Sequence, residues 1–288
     1  MEVITDLQEF RKRRRELGDE LGRRLEYRPT VGFVPTMGNL HEGHLSLIRR
    51  MQQECDLGLV SIYVNPMQFA PGEDLAEYPR TLEDDLDKCE VEGVDLVFVP
   101  RDEAIYPPGY QTKVEVSRVT QPWEGVHRPT HFAGVATVVA KLFNMAEPDR
   151  AYFGQKDYQQ LRVIERMVKD LDFPVELVMC PTVRDDDGLA LSSRNQYLSA
   201  DEREAACSLC RCLRAMEEGF NAGVIAAEEL TAKGRSLLAP EVELQYLAVV
   251  DGVSLAEKAE ASVGDVVLIA AKVGGTHLID NLILGGGG

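Results

Sequence analysis

Two histidines three residues apart close the run Pro35-Thr36-Met37-Gly38-Asn39-Leu40-His41-Glu42-Gly43-His44, and they are two of only five histidines in the chain. The apolar run Val31-Gly32-Phe33-Val34 precedes them, and Leu45-Ser46-Leu47-Ile48-Arg49-Arg50 follows. This order reads as a strand, a tight glycine turn, and a helix that starts near His41. A helix start attracts anions, because its first N–H groups lack intrahelical partners and the macrodipole is positive there. Imidazoles three residues apart share a helical face and can reach one phosphate group, and Gly43 between them leaves room for a flat ligand. The stretch therefore points to a nucleotide site that works on phosphates. A capping or half-buried core histidine is the plainer alternative, but it accounts poorly for a pair in this setting. The spacing also differs from H-E-x-x-H, and no third ligand stands nearby, which argues against zinc hydrolysis.

Three other segments carry suitable chemistry. The amides of Asn65-Pro66-Met67-Gln68-Phe69 can donate and accept at once, which suits a hydroxyl or carboxylate in a partly dry pocket. In Phe153-Gly154-Gln155-Lys156-Asp157-Tyr158-Gln159-Gln160-Leu161, Lys156 could neutralise phosphate, and Gln160 four residues on shares its helical face. Arg184-Asp185-Asp186-Asp187-Gly188-Leu189-Ala190-Leu191-Ser192-Ser193-Arg194-Asn195 could close over a triphosphate and supply charge where it builds up. Taken singly, each is as readily a turn, an exposed first-turn lysine, or a linker.

The elements that must position these groups alternate. Leu57–Val64 and Val94–Val99 read as strands buried on both faces, with Pro100 stopping the second, and residues 173–179 return to strand. Thr81–Glu92, Gly134–Ala146 and Tyr158–Asp170 read as helices. Such alternation predicts an α/β fold, a Rossmann-like parallel sheet that binds its ligands at the carboxyl ends of its strands. After about residue 185 the pattern changes: 200–238 is largely helical, and 244–250 and 265–271 look like strands. We therefore expect one domain over 1–183 and a smaller C-terminal α+β domain over 184–288, hinged near Thr182–Leu191, with Gly285–Gly288 disordered.

Composition narrows the function classes. A 288-residue chain that is 44% hydrophobic and 27% charged is ordinary for a soluble protein. A formal charge of −17 argues against a nucleic-acid partner, and no apolar segment approaches a membrane span. The basic run Arg11–Arg15 reads as a solvated helix face. Met1–Asp6 shows no basic leader before an apolar core, so a cytoplasmic protein with reduced cysteines is expected. Cys207-Ser208-Leu209-Cys210-Arg211-Cys212 contains C-x-x-C without a second ligand pair and reads as packing.

Five blocks in order resemble the pantothenate synthetase (pantoate–β-alanine ligase) family: PTMGNLHEGH at 35–44, YVNPMQF at 63–69, HRPTHFAGVATVVAKLFN at 127–144, AYFGQKDYQQL at 151–161 and DGLALSSRN at 187–195. The resemblance implies a nucleotidyltransferase of the H-x-G-H class, usually a homodimer. It would use ATP and Mg²⁺ to adenylate pantoate and then pass the pantoyl group to β-alanine. It also implies roles for residues. Met37, Gly38, Asn39, Leu40, His41, Glu42, Gly43 and His44 match the ATP block, with His44 as proton donor. Gly154, Gln155, Lys156, Asp157, Val183, Leu191, Ser192, Ser193 and Arg194 match further ATP contacts. Gln68 and Gln160 match the pantoate-binding glutamines, Gln68 also being placed near β-alanine, and Asp84 and Asp85 match an acidic pair associated with magnesium. Leu191 stands where the family typically has methionine, Gln155 where a charged residue is commoner, and Thr130 and Ala133 where glycine and arginine are often seen.

Overall fold

The computed structural model describes Met1–Gly286. The chain divides into two compact units. The first comprises Met1–Gln121, Gly125–Gly154 and Gln160–Cys180; the second comprises Pro122–Glu124, Gln155–Gln159 and the chain from Pro181 onward.

In the first unit, β1 (Glu2–Ile4), β2 (Val31–Thr36), β3 (Leu57–Ile62), β4 (Leu96–Phe98), β5 (Arg150–Gly154) and β6 (Glu176–Cys180) form one sheet in the order β1-β4-β3-β2-β5-β6. Every pairing in it is parallel. Alternate residues of each strand feed opposite faces, as the pleat requires. Phe33, Leu57, Leu59, Leu96 and Phe98 enter one apolar cluster, and Val34, Val60, Ile62 and Val97 enter another. Helices α1 (Leu7–Leu25), α2 (Glu42–Glu54), α3 (Leu82–Val91), α4 (Asp102–Ile105), α5 (Glu124–His127), α6 (His131–Ala146) and α7 (Tyr158–Asp170) follow in chain order. Phe10 of α1, Val135 and Val139 of α6, and Ile164 and Met167 of α7 cover the first face. Leu47, Ile48 and Met51 of α2 with Cys89 of α3 cover the second. Burial on both faces is why these strands read as unbroken apolar runs. The strand order reverses at β2, which has β3 on one side and β5 on the other. The histidine turn leaves its carboxyl end, where open sheets of this kind hold ligands.

The second unit packs α8 (Ala200–Asn221) and α9 (Ala227–Arg235) on an antiparallel sheet of β7 (Val242–Val250), β8 (Val266–Val273) and β9 (Thr276–Ile283). Ser199 and Glu202 form a reciprocal cap that starts α8. The expected helical stretch is thus two helices, broken after Asn221. Cys207, Cys210 and Cys212 are all buried along α8 with free thiols, as packing residues. Strands β1, β5 and β9 were not anticipated. The first two are only three and five residues long, and partners distant in the chain hold them in place. Of the terminal glycines expected to be disordered, Gly285 sits in a turn at φ 69°, while positions 287–288 lie outside the described residues.

In the basic run of α1, Arg13 pairs with Glu2, Glu16 and Glu20, but the Arg14 side chain is only 13% exposed and pairs with Glu147, so the run is not the wholly solvated face expected. Among the described residues, no helix is long and apolar enough to cross a membrane.

Candidate functional site

The turn between β2 and α2 is held in a conformation few sequences adopt. Gly38 has φ +84° and Asn39 φ +51°. A side chain at Gly38 would meet Asp85 Oδ2 at 3.0 Å and Ile62 at 3.2 Å, so glycine is required for both φ and space. Asp85, only 1% exposed, fixes the turn from below. Its Oδ2 accepts from the Asn39 N–H at 2.9 Å and its Oδ1 from the Leu40 N–H at 2.7 Å. The Thr81 hydroxyl adds a bond to Oδ2 at 3.2 Å, and Lys88 Nζ donates to the Leu40 carbonyl at 2.8 Å.

The histidines cap the helix they precede. His41 is the N-cap of α2, just outside it, and His44 is in its first turn. His41 Nδ1 accepts the Gly43 N–H at 3.2 Å, and His44 Nδ1 accepts the His41 N–H at 3.4 Å. The two rings lie 4.2 Å apart. Two amides expected to greet an anion directly are therefore taken up by imidazole nitrogens. A ring nitrogen that accepts an amide hydrogen carries no proton itself, so in the neutral ring the hydrogen resides on Nε2.

Gln68 belongs to the same unit and touches the start of this turn. It ends a short 3-10 turn, Pro66–Gln68, and is 8% exposed. Its Oε1 accepts from Asn65 Nδ2 at 3.2 Å, and its Nε2 donates to Met37 Sδ at 2.8 Å. Gly134 of α6 makes this approach possible, since a Cβ there would fall 2.2 Å from the Met67 carbonyl oxygen. His131 Nδ1 contacts the Gln68 carbonyl at 2.9 Å. Gln160 lies in the first turn of α7 and is half-buried.

The second unit carries the other candidate groups on two loops, and one strand holds both. Asn281 Nδ2 donates to the carbonyls of Gln155 and Lys156, each at 2.9 Å, and its Oδ1 accepts from Gln155 Nε2 at 3.2 Å. The adjacent Asp280 grips Arg184 through both oxygens, at 2.6 and 2.9 Å, and Arg184 also reaches the Gly188 carbonyl. Arg184 pairs across a small hairpin with Ala190, and the Leu191 N–H bonds to the Val183 carbonyl. Ser192 then caps the 3-10 turn Ser193–Tyr197 by accepting the Arg194 N–H at 3.3 Å. Neither Asp280 nor Asn281 was singled out from sequence. Their signal is a pair of buried polar residues, 5% and 2% exposed, inside an apolar strand.

The acidic pair does not fit a magnesium ion held jointly. Asp84 is exposed and pairs with Lys88 at 3.4 Å, whereas Asp85 is buried with each oxygen already accepting hydrogen bonds. Among the described residues, no cluster of three or more acidic, cysteine or histidine groups could hold a metal. Asp85 instead shapes the turn between β2 and α2.

A family model for pantoate–β-alanine ligase matches residues 2–283. The chain belongs to that family. A pantothenate synthetase of Acidobacterium capsulatum is 51% identical over 278 residues, covering 96% of this chain and 91% of its own. That of Aquifex aeolicus is 48% identical over 281 residues, 96% of either chain. The crystal structure of the pantothenate synthetase from Thermus thermophilus superposes with a TM-score of 0.91 at 45% identity, covering 98% of this chain and 99% of that one. A pantoate–β-alanine ligase from Francisella tularensis, crystallised with beta-gamma ATP and β-alanine, gives 0.80 at 35% identity over 98% and 97%. Membership makes this chain a ligase, and its parallel-sheet unit and smaller antiparallel unit are those of pantoate–β-alanine ligases.

Proposed function

We propose that this ligase joins pantoate to β-alanine through a pantoyl adenylate. A pantoate carboxylate oxygen attacks the α-phosphorus of ATP, and the bond to the leaving pyrophosphate breaks. The β-alanine amine then attacks the acyl carbon and expels AMP, giving pantothenate. Such a transfer asks the enzyme for positioning and charge neutralisation more than covalent help. In this reading Gln68 and Gln160 hold pantoate, and Lys156, Ser192, Ser193 and Arg194 neutralise phosphate charge. His41 and His44 donate Nε2–H hydrogen bonds to phosphate oxygens, His44 nearest the reacting centre. Magnesium enters with the nucleotide, as the MgATP co-substrate. The reading extends to a homodimer in the cytoplasm.

The observation that carries it is the reciprocal histidine cap. It fixes two imidazoles by their Nδ1 atoms at a helix start, and the Gln68 amide donates to Met37 in the turn that leads there. Replacing His44 with alanine should lower kcat by about 10²–10³-fold with the fold intact, the usual loss for one donor to a developing anion. AMP release should require both pantoate and β-alanine. Turnover unchanged by His44→Ala would remove the histidine from the reaction, and AMP formed without pantoate would remove the substrate.

A further inference from the structure

We infer that Tyr106 is a positioning residue: through Asn65 it sets which end of the Gln68 amide faces the substrate. The inference rests on the proposed role of Gln68 in holding pantoate. A primary amide has a donor end and an acceptor end of nearly equal size, so neighbours must decide its orientation.

Here a chain of hydrogen bonds decides it. The Tyr106 hydroxyl donates to Asn65 Oδ1 at 2.7 Å, and the Met67 N–H reaches the same oxygen at 3.3 Å. The other end of Asn65 must then donate. Its Nδ2 does so at 3.1 Å to the Gly134 carbonyl, which can only accept, and at 3.2 Å to Gln68 Oε1. With its oxygen occupied, Gln68 turns its Nε2 toward Met37, where it rests on a thioether sulfur. Thioether sulfur is a weak acceptor, and a carboxylate or hydroxyl oxygen of a substrate would replace it favourably.

Asn65 is 1% exposed and Gln68 8%, so little water is available to satisfy a reversed amide. Burial, with Tyr110 and Asp102 nearby, pushes the Tyr106 hydroxyl well above the ordinary tyrosine range, so it remains a donor throughout the working pH range. Tyr110 packs edge-on against the Tyr106 ring with centroids 5.1 Å apart and fixes its direction. The relay thus presents the Gln68 amide donor to an oxygen acceptor of the substrate.

The test is a double-mutant cycle read in steady-state kinetics. Tyr106→Phe removes the donor and keeps the ring. It should raise the pantoate KM about three- to tenfold, the worth of one neutral hydrogen bond, with the ATP KM unchanged. In a Gln68→Ala background the same substitution should add nothing. An undiminished effect of Tyr106→Phe in that background overturns the relay, as does no effect in the parent. A Gln68→Ala variant with normal pantoate kinetics overturns the reading of Gln68 beneath it.

Discussion

Gly134→Ala should be destabilising although it replaces glycine by alanine in a helix, an exchange that ordinarily gains about 0.5–1 kcal/mol. The added Cβ would lie 2.2 Å from the Met67 carbonyl oxygen, 2.4 Å from its carbon and 2.6 Å from the Gln68 nitrogen. These are backbone atoms, so no side-chain rotation relieves the overlap. Either α6 or the Pro66–Gln68 turn must move by about an ångström, and overpacking of this kind costs about 1–3 kcal/mol. For a protein of this size that lowers the melting temperature by roughly 2–12 °C. Displacement of Gln68 should also raise the pantoate KM more than the ATP KM. Gly18→Ala in α1 is the matched control, because nothing lies within 4 Å of a Cβ there. It should raise stability by about 0.5–1 kcal/mol and leave the kinetics alone. The pair is compared by thermal unfolding followed by circular dichroism and by initial rates against each substrate. Equal gains in stability for both variants would refute the close-approach argument.

Asp85→Asn must present one amide hydrogen to a backbone N–H, leaving a buried donor unmet at a cost of about 1–3 kcal/mol. Its ATP KM should rise, Asp84→Ala should behave like the parent, and added magnesium should rescue neither. Equal losses rescued by magnesium would mean that the acidic pair holds the ion after all. Asn281→Ala strips donors from the carbonyls of Gln155 and Lys156. It should raise the ATP KM by roughly 5–30-fold for about 1–2 kcal/mol of lost hydrogen bonding, with far-ultraviolet circular dichroism unchanged. ATP kinetics like the parent's would show that β9 does not position that loop.

The strands most legible in the sequence are those buried on both faces, β3 and β4, because burial leaves an unbroken apolar run and Pro100 marks an end. The histidine turn was legible for a similar reason: its glycine, its place after β2 and its two imidazoles all fall within ten residues. What escaped depends on partners far along the chain. Tyr106 meets Asn65 across 41 residues, and Asn281 meets Lys156 across 125. No local period announces such bonds. Asp85 was noticed for its charge, but the two amides that fix its role are 46 and 45 residues upstream. The helix start shows the same limit. Spacing placed both imidazoles there, yet only the geometry revealed that their Nδ1 atoms take up amides an anion would otherwise meet.

The most direct test of carboxylate adenylation is isotope exchange between pyrophosphate and ATP, measured with MgATP and pantoate and without β-alanine. The account predicts exchange that is absent without pantoate, saturates with it, and falls about 10²–10³-fold in His44→Ala. Exchange that needs β-alanine, or that proceeds equally well without pantoate, would contradict it.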